Sequence, residues 1–213
     1  MAENSHDSDS PAEGEPSRTQ HVSARVPEKV GLGSFSTGAI VMTGATEFMI
    51  DFVQNIGGPA AVTARVVMPH SVMAQFIEAL RKNLEMYTTR FGTPAELPQQ
   101  QPNQTLTPQQ IYDDLKISDD LLSGSYATGV MIGHSAAEFR LDFLTNLFPT
   151  AAVSTRVFMS SPQIPRLLKS LESTYQKYEQ LRRQQGETEK GESPAPPDEP
   201  LDPPGEPLGP PDG

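Results

Sequence analysis

The pattern of apolar and polar residues predicts strands followed by a helix in the first half of the chain. Residues 47–52 read EFMIDF, and their apolar and polar positions alternate as in a strand with one buried face. Residues 61–68 alternate in the same way. From residue 71 to residue 91 the apolar positions step by three or four, which is typical of a helix with one buried side. Because residues 35–43 are rich in β-forming types, we predict a β-β-β-α unit over residues 34–92.

The same pattern recurs 91 positions later without a gap. EFRLDF at residues 138–143 repeats EFMIDF, and the match continues along the helix until Tyr178 stands where Tyr87 stood. A gap-free match of this length marks a duplicated structural unit. A second β-β-β-α unit is therefore predicted over residues 125–184, with its first strand at residues 126–133.

Two tandem repeats of this kind predict an α+β fold. The antiparallel strands of each unit leave one face to be covered, and the helix carries a matching apolar side. We expect the repeats to pack as a pseudo-two-fold pair with the helices on one side. The strands then form either one continuous sheet or two sheets.

Opposite charges are predicted to face each other across the second and third strands of each unit. A register that aligns the apolar faces sets Asp51 across from Arg65, and the equivalent register sets Asp142 across from Arg156. Direct cross-strand pairs of opposite charge stabilise a sheet by a few tenths to about 1 kcal/mol. These pairs are interpreted as structural.

Each repeat also carries two carboxylates four positions apart, which is the strongest candidate for chemistry. Glu47 and Asp51, like Glu138 and Asp142, lie on the same face of a strand and are suited to acid–base work or to cation binding. A strand-start acid and a structural Asp–Arg pair explain the same residues, because no histidine or polar cluster accompanies them. We predict no catalytic residue, no cofactor and no metal site.

The sheet face opposite the apolar one is a candidate interaction surface. Met49 and Val67 lie on that face in the first unit, and Arg140 replaces Met49 in the second. An amphipathic face of this kind suits a partner, since methionine adapts to varied surfaces.

The remaining sequence bounds the class of protein. The chain carries a net charge of −11, and most of the acidity lies in residues 1–33, 93–124 and 185–213. We predict disordered tails at both ends and, between the repeats, a Pro/Gln-rich linker with a short helix at about residues 108–116. The absence of cysteine excludes disulfides and thiolate zinc sites. With no apolar run for a membrane span and no signal-like start, a cytoplasmic location is expected.

Both repeats contain the motif E-F-x-hydrophobic-D-F, followed about a dozen residues later by R-hydrophobic-x-M and then by a helix that ends in a tyrosine. This motif resembles that of a family of small bacterial and archaeal proteins known as domain of unknown function 3467. The resemblance implies a duplicated, compact β-then-α fold and brings no activity or catalytic residues. It covers both repeats and neither the tails nor the linker. The residues that carry it are Glu47, Phe48, Asp51, Phe52, Arg65, Met68, Leu80, Tyr87, Phe91 and Gly92 in the first unit, and Tyr126, Glu138, Phe139, Asp142, Phe143, Arg156, Met159, Pro162, Leu171, Tyr178 and Glu179 in the second.

These observations lead to three functional hypotheses. The first is a non-enzymatic protein-interaction or assembly module, with a SecB-like chaperone or scaffold as its nearest analogy in fold. The second is a PUR-like protein that binds single-stranded nucleic acid, which the acidity disfavours. The third is an enzyme that uses the repeated carboxylates. The protein partner stays unidentified, and a homo-oligomer is compatible with all three hypotheses.

Overall fold

Two four-stranded sheets and two long helices make up the described part of the chain. The computed structural model describes residues 24–98, 108–147 and 150–191. The sheets have the strand orders β2-β3-β4-β5 and β1-β8-β7-β6, so the two-sheet alternative is the one observed. The elements are α1 (Glu28–Gly31), β1 (Ser34–Ser36), β2 (Gly38–Thr43), β3 (Glu47–Gln54), β4 (Ala61–Pro69), α2 (His70–Phe91), α3 (Pro108–Asp113), β5 (Ser125–Tyr126), β6 (Gly129–His134), β7 (Glu138–Thr145), β8 (Ala152–Ser160) and α4 (Ile164–Gly191), with 3-10 turns at Asp119–Leu121 and Ser161–Gln163.

The predicted strand register is confirmed in both repeats. Strands β3 and β4 are antiparallel, with Asp51 opposite Arg65, and β7 and β8 set Asp142 opposite Arg156. The alternating pattern therefore placed the apolar residues of β3 and β4 on one buried face, where Phe48 has no exposed surface.

The sequence pattern predicted one continuous first strand in each repeat, but the structure divides this strand into two parts. Residues 34–36 form β1, which leaves its own repeat and pairs in parallel with β8, and only β2 stays in the first sheet. In the second repeat, residues 125–126 likewise pair in parallel with β4. Thr37 separates the two parts in the first repeat, directly after the buried Ser36 at the end of β1. Each sheet thus takes its fourth strand from the other repeat.

This exchange extends over two segments that we call the leaders, residues 25–36 and residues 116–127. The amide of Arg25 donates to the carbonyl of Ala151 at 2.9 Å, and the amide of Lys116 donates to that of Ala60 at 3.0 Å. The duplication therefore reaches back to these segments, since the partners in the two bonds are again offset by 91 positions.

The predicted boundaries of tails and linker shift accordingly. Residues 24–33, assigned above to the N-terminal tail, include α1 and most of the first leader, and residues 116–124 of the predicted linker belong to the second leader. The short linker helix ends at Asp113 rather than near residue 116, and α4 continues to Gly191, past the predicted tail boundary. The rest of the predicted tails, residues 1–23 and 192–213, lies outside the described residues.

The helices complete the exchange and close a single core. Helix α2 packs against β6 of the second repeat, α4 packs against β2 of the first, and the two helices contact each other. The Tyr87 hydroxyl in α2 donates a hydrogen bond to the carbonyl of Ala136 at 2.9 Å. One cluster of buried apolar residues accordingly includes side chains from both repeats.

Two contacts between equivalent residues mark the pseudo-two-fold axis. The rings of Phe52 and Phe143 lie 5.5 Å apart in the core, and Arg81 forms a 2.6 Å ion pair with Glu172 between the helices. Each pair joins positions offset by 91, as expected only where the axis passes.

A glycine at the tip of each leader permits its close approach to the sheet of the other repeat. Gly33 has φ 68° and Gly124 has φ 69°. A Cβ atom on Gly33 would lie 2.8 Å from Cγ of Arg156, and one on Gly124 would lie 2.9 Å from Cγ of Arg65. Both the backbone conformation and the space thus require glycine.

We predict that Gly33→Ala destabilises the protein more than Gly57→Ala, and that Gly58→Ala has little effect. Gly33→Ala adds both strain and a steric clash, whereas Gly57 has a positive φ in open space and Gly58 has neither constraint. Strain alone costs about 1–3 kcal/mol. The free energy of unfolding from denaturant titration measures all three, and equal effects of Gly33→Ala and Gly58→Ala would contradict the close approach.

Candidate functional site

The Asp–Arg pair of the first repeat is buried and fully engaged. Arg65 donates from Nε and Nη2 to the two carboxylate oxygens of Asp51, at 2.7 and 2.8 Å, and Asp51 has no exposed surface. The remaining nitrogen, Nη1, donates to the backbone carbonyl of Leu122 in the second leader, at 3.0 Å. The guanidinium therefore binds the leader of one repeat to the sheet of the other.

The second repeat has the same arrangement. Arg156 donates to both oxygens of Asp142, at 2.7 and 3.0 Å, and its Nη1 donates to the carbonyl of Gly31 at 3.1 Å. Gly31 is the equivalent of Leu122 in the first leader. In both repeats the side-chain hydrogen bond to aspartate raises the pKa of the arginine, so each guanidinium stays protonated.

The two buried aspartates differ in their second partner residue. In the first repeat the hydroxyl of Tyr112, in α3, donates to Asp51. In the second repeat Arg140 lies 3.2 Å from Asp142 and contributes a second cation. Burial, followed by the hydrogen bond to Asp51, raises the pKa of Tyr112 well above its ordinary value, so its proton stays in place at neutral pH.

The predicted carboxylate pairs are not brought together as an acid–base site. Asp51 and Asp142 are saturated by arginine, and Glu138 instead accepts a hydrogen bond from the Ser135 hydroxyl in the preceding turn, at 2.8 Å. Glu47 stands at the start of β3, opposite Pro69. Among the residues that the structure describes, no group of three or more His, Asp or Glu is placed to hold a metal ion.

An apolar row crosses all four strands on the outer face of the first sheet, which is the face away from the core. Tyr126 of β5 lies beside Val67 of β4, Val67 beside Met49 of β3, and Met49 beside Met42 of β2. We call these four residues the first-face row. The side chains are partly exposed, and Tyr126 is 47% exposed.

The equivalent residues on the second sheet form a row of different chemistry. Phe35 of β1 lies beside Phe158 of β8, Phe158 beside Arg140 of β7, and Arg140 beside Gly133 of β6. We call these the second-face row. Phe35 is 41% exposed, and the Arg140 side chain is 48% exposed. The structure places the predicted candidates Met49, Val67 and Arg140 on outer faces.

The clefts on these faces are open and shallow. One cleft of about 250 Å³ lies between the repeats and is lined by Arg65, Arg156 and Lys29, so the two outer faces meet there. Another, of about 300 Å³, is lined by His134, Glu138, Arg140 and Phe158 beside the second-face row. Neither is lined by Asp51 or Asp142.

Sequence reasoning missed Tyr112, the leader glycines and the two exposed aromatics at the leader ends. A signal for the leaders was present, because Gly33-Ser34 and Thr37-Gly38 recur as Gly124-Ser125 and Thr128-Gly129 at the offset of 91. Tyr112 had no such signal, since the position 91 residues earlier is His21, outside the described residues.

Comparison with known proteins identifies the repeat and no activity. A family model described as "Protein of unknown function (DUF3467)" matches the chain twice, at residues 5–99 and 94–184. The two matches confirm the family resemblance and the tandem duplication, and they extend beyond the predicted repeats over residues 5–33 and over the linker. A search of curated proteins gives no match.

We predict that Arg65→Met destabilises the protein by about 3–5 kcal/mol, because it leaves the Asp51 charge buried without its cation and releases the second leader. Arg81→Met is the matched control, since its ion pair with Glu172 is largely exposed and is worth at most about 1 kcal/mol. Denaturant unfolding at neutral pH gives both values. Similar small losses in the two variants would show that the buried pair is not a structural tie.

We predict that Tyr112→Phe lowers stability by about 1–2 kcal/mol at pH 8, because Asp51 loses a hydrogen-bond donor. The folded-state pKa of Tyr112 is raised above its unfolded value, so the stabilisation is present below the unfolded pKa and is lost as pH rises through the folded pKa. The difference between wild type and Tyr112→Phe should therefore shrink as the pH is raised beyond about 10. Unfolding titrations across that range measure it, and a difference that grows with pH would contradict the assignment.

Proposed function

Because this chain belongs to the DUF3467 family, whose description assigns no activity, we propose a function from its outer sheet face: a non-enzymatic protein-binding module that takes an extended polypeptide segment on the first-face row. The observation that carries the proposal is the continuous apolar row from Tyr126 to Met42. A contiguous exposed apolar patch on a folded protein is typical of an interaction surface.

The surroundings of the row define the chemistry of the segment. Methionine side chains are flexible and adapt to different apolar partners, which favours a sequence-tolerant surface. The exposed acids Asp119 and Asp120 lie in the leader beside the row, and Leu122 nearby is 52% exposed. An extended segment that combines apolar with basic residues fits both features.

A chaperone-like or scaffold role is the finer form of this proposal. The four residues of the row lie side by side on four neighbouring strands of a sheet face, which suits a binder of unfolded or extended segments. No helix in the described ranges has the length and apolar character of a membrane span. We place the binding reaction in the cytoplasm as part of the same proposal.

The second-face row favours single-stranded nucleic acid as an alternative. Phe35 and Phe158 offer ring faces for base stacking, and Arg140 adjoins them with a cation. Stacking platforms that combine aromatic rings with arginine are typical of single-strand binders. The enzyme hypothesis has less support, because the repeated aspartates are committed to arginine.

We predict that Met49→Arg weakens binding of a reduced, alkylated and permanently unfolded polypeptide by roughly tenfold. The substitution places at position 49 the residue that stands at position 140, where the fold accommodates it beside Asp142. It interrupts the apolar row with a charge. Fluorescence anisotropy of the labelled polypeptide measures the dissociation constant.

Arg140→Met is the reciprocal control. It should leave polypeptide binding unchanged or stronger, because it removes a charge from the other sheet. If wild type fails to bind the polypeptide, or if Met49→Arg binds it equally well, the proposal is wrong. Salt-dependent binding of an oligo(dT) strand that Arg140→Met abolishes would instead favour the nucleic-acid alternative.

A further inference from the structure

The two outer faces differ in charge at equivalent positions. Lys29 in the first leader corresponds to Asp120 in the second, and Arg140 on the second sheet corresponds to Met49 on the first. Lys29 and Asp120 are both exposed. The first leader also carries the exposed Glu28, at the position equivalent to Asp119. With Arg25 and Lys29 the first leader still has one net positive charge, whereas the second leader, with Lys116, Asp119 and Asp120, has one net negative charge. We therefore call the second sheet with the first leader the basic face, and the first sheet with the second leader the acidic face.

Each face also displays apolar side chains that the chain itself leaves uncovered. In the first leader Leu32 is 91% exposed and Phe35 is 41% exposed, and in the second leader Leu122 is 52% exposed and Tyr126 is 47% exposed. An exposed leucine and an exposed aromatic ring in each leader, on two faces of opposite charge, have the composition of two halves of one interface.

We propose that the acidic face of one chain binds the basic face of a second copy of this chain. The exposed Lys29 and Arg140 then approach Asp119 and Asp120 of the other copy, and the apolar rows cover each other. Because both faces flank the cleft between the repeats, the two complementary contacts can form together in a closed pair with two-fold symmetry.

This inference does not rest on the proposed polypeptide binding, since it concerns what covers the faces when no other partner is present. The second copy carries the apolar and basic chemistry that suits the acidic face. Dimerisation would then compete with polypeptide binding at the first-face row.

The duplication itself supplies variants that test the charge pairing. In variant A, Lys29→Asp and Arg140→Met give the basic face the residues of the acidic face. In variant B, Asp120→Lys and Met49→Arg make the reverse exchange. Each introduced residue is the one that the other repeat already carries at that position, and a third variant combines all four substitutions.

Sedimentation velocity of the full chain across a hundredfold concentration range provides the measurement. Wild type should form dimers that weaken with salt, because exposed charges are screened. Variants A and B alone should dimerise at least about tenfold more weakly, whereas an equimolar mixture of A and B, and the four-substitution variant, should recover association. Circular dichroism verifies folding, and recovery in the mixture shows that neither variant is merely misfolded.

Three results would overturn the proposal. Wild type could remain monomeric throughout, variants A and B could associate as strongly as wild type, or their mixture could fail to recover association. The polypeptide assay is performed at concentrations where the chain is monomeric. A chain that binds polypeptide without dimerising therefore refutes only this inference, and a chain that dimerises without binding polypeptide refutes only the proposed function.

Discussion

The buried ion pairs Asp51–Arg65 and Asp142–Arg156 are the interaction on which the rest of the structure depends. Each guanidinium uses two nitrogens for a carboxylate on its own sheet and a third for a carbonyl in the leader of the other repeat. Removing one partner from such a buried pair leaves an uncompensated charge, which is far more costly than losing an exposed pair. The pairs therefore fix both the register of each sheet and the exchange between repeats.

Because of this exchange, we expect the two repeats to fold as one unit. Each sheet obtains its fourth strand and part of its helical cover from the other repeat, and one core contains residues of both. A repeat of this size buries little apolar surface alone. Duplication within one chain also permits divergence at the axis, where Arg81 and Glu172 form an ion pair that two identical repeats would not have.

The divergence of the outer faces is the basis for function in this account. The core residues remain alike in the two repeats, whereas equivalent surface positions differ. Arg140 stands at the position of Met49, and Asp120 stands at the position of Lys29. The first face offers an apolar row with acids beside it, and the second offers aromatic rings with cations. Because the two faces differ in chemistry on a pseudo-symmetric fold, each face can bind a different kind of partner.

The strands with periodic burial could be predicted from the sequence. The segments that are ordered only by pairing with the other repeat could not. The alternation around Asp51 and Arg65 was enough to predict the register, because a slip by one residue would expose the apolar face. Residues 25–33 and 116–124 of the leaders were assigned to a tail and a linker, and their order comes from pairing with the other repeat. The acidic and basic faces could not be predicted from the sequence, because they combine residues that are distant in sequence.

The most direct test of the interlocked pair is to cleave the chain between residues 98 and 108 at an inserted protease site. We expect the two halves to stay together as a 1:1 complex under native conditions and to separate only in denaturant, with a single unfolding transition. Separation of the cleaved halves into two independently folded monomers would contradict it.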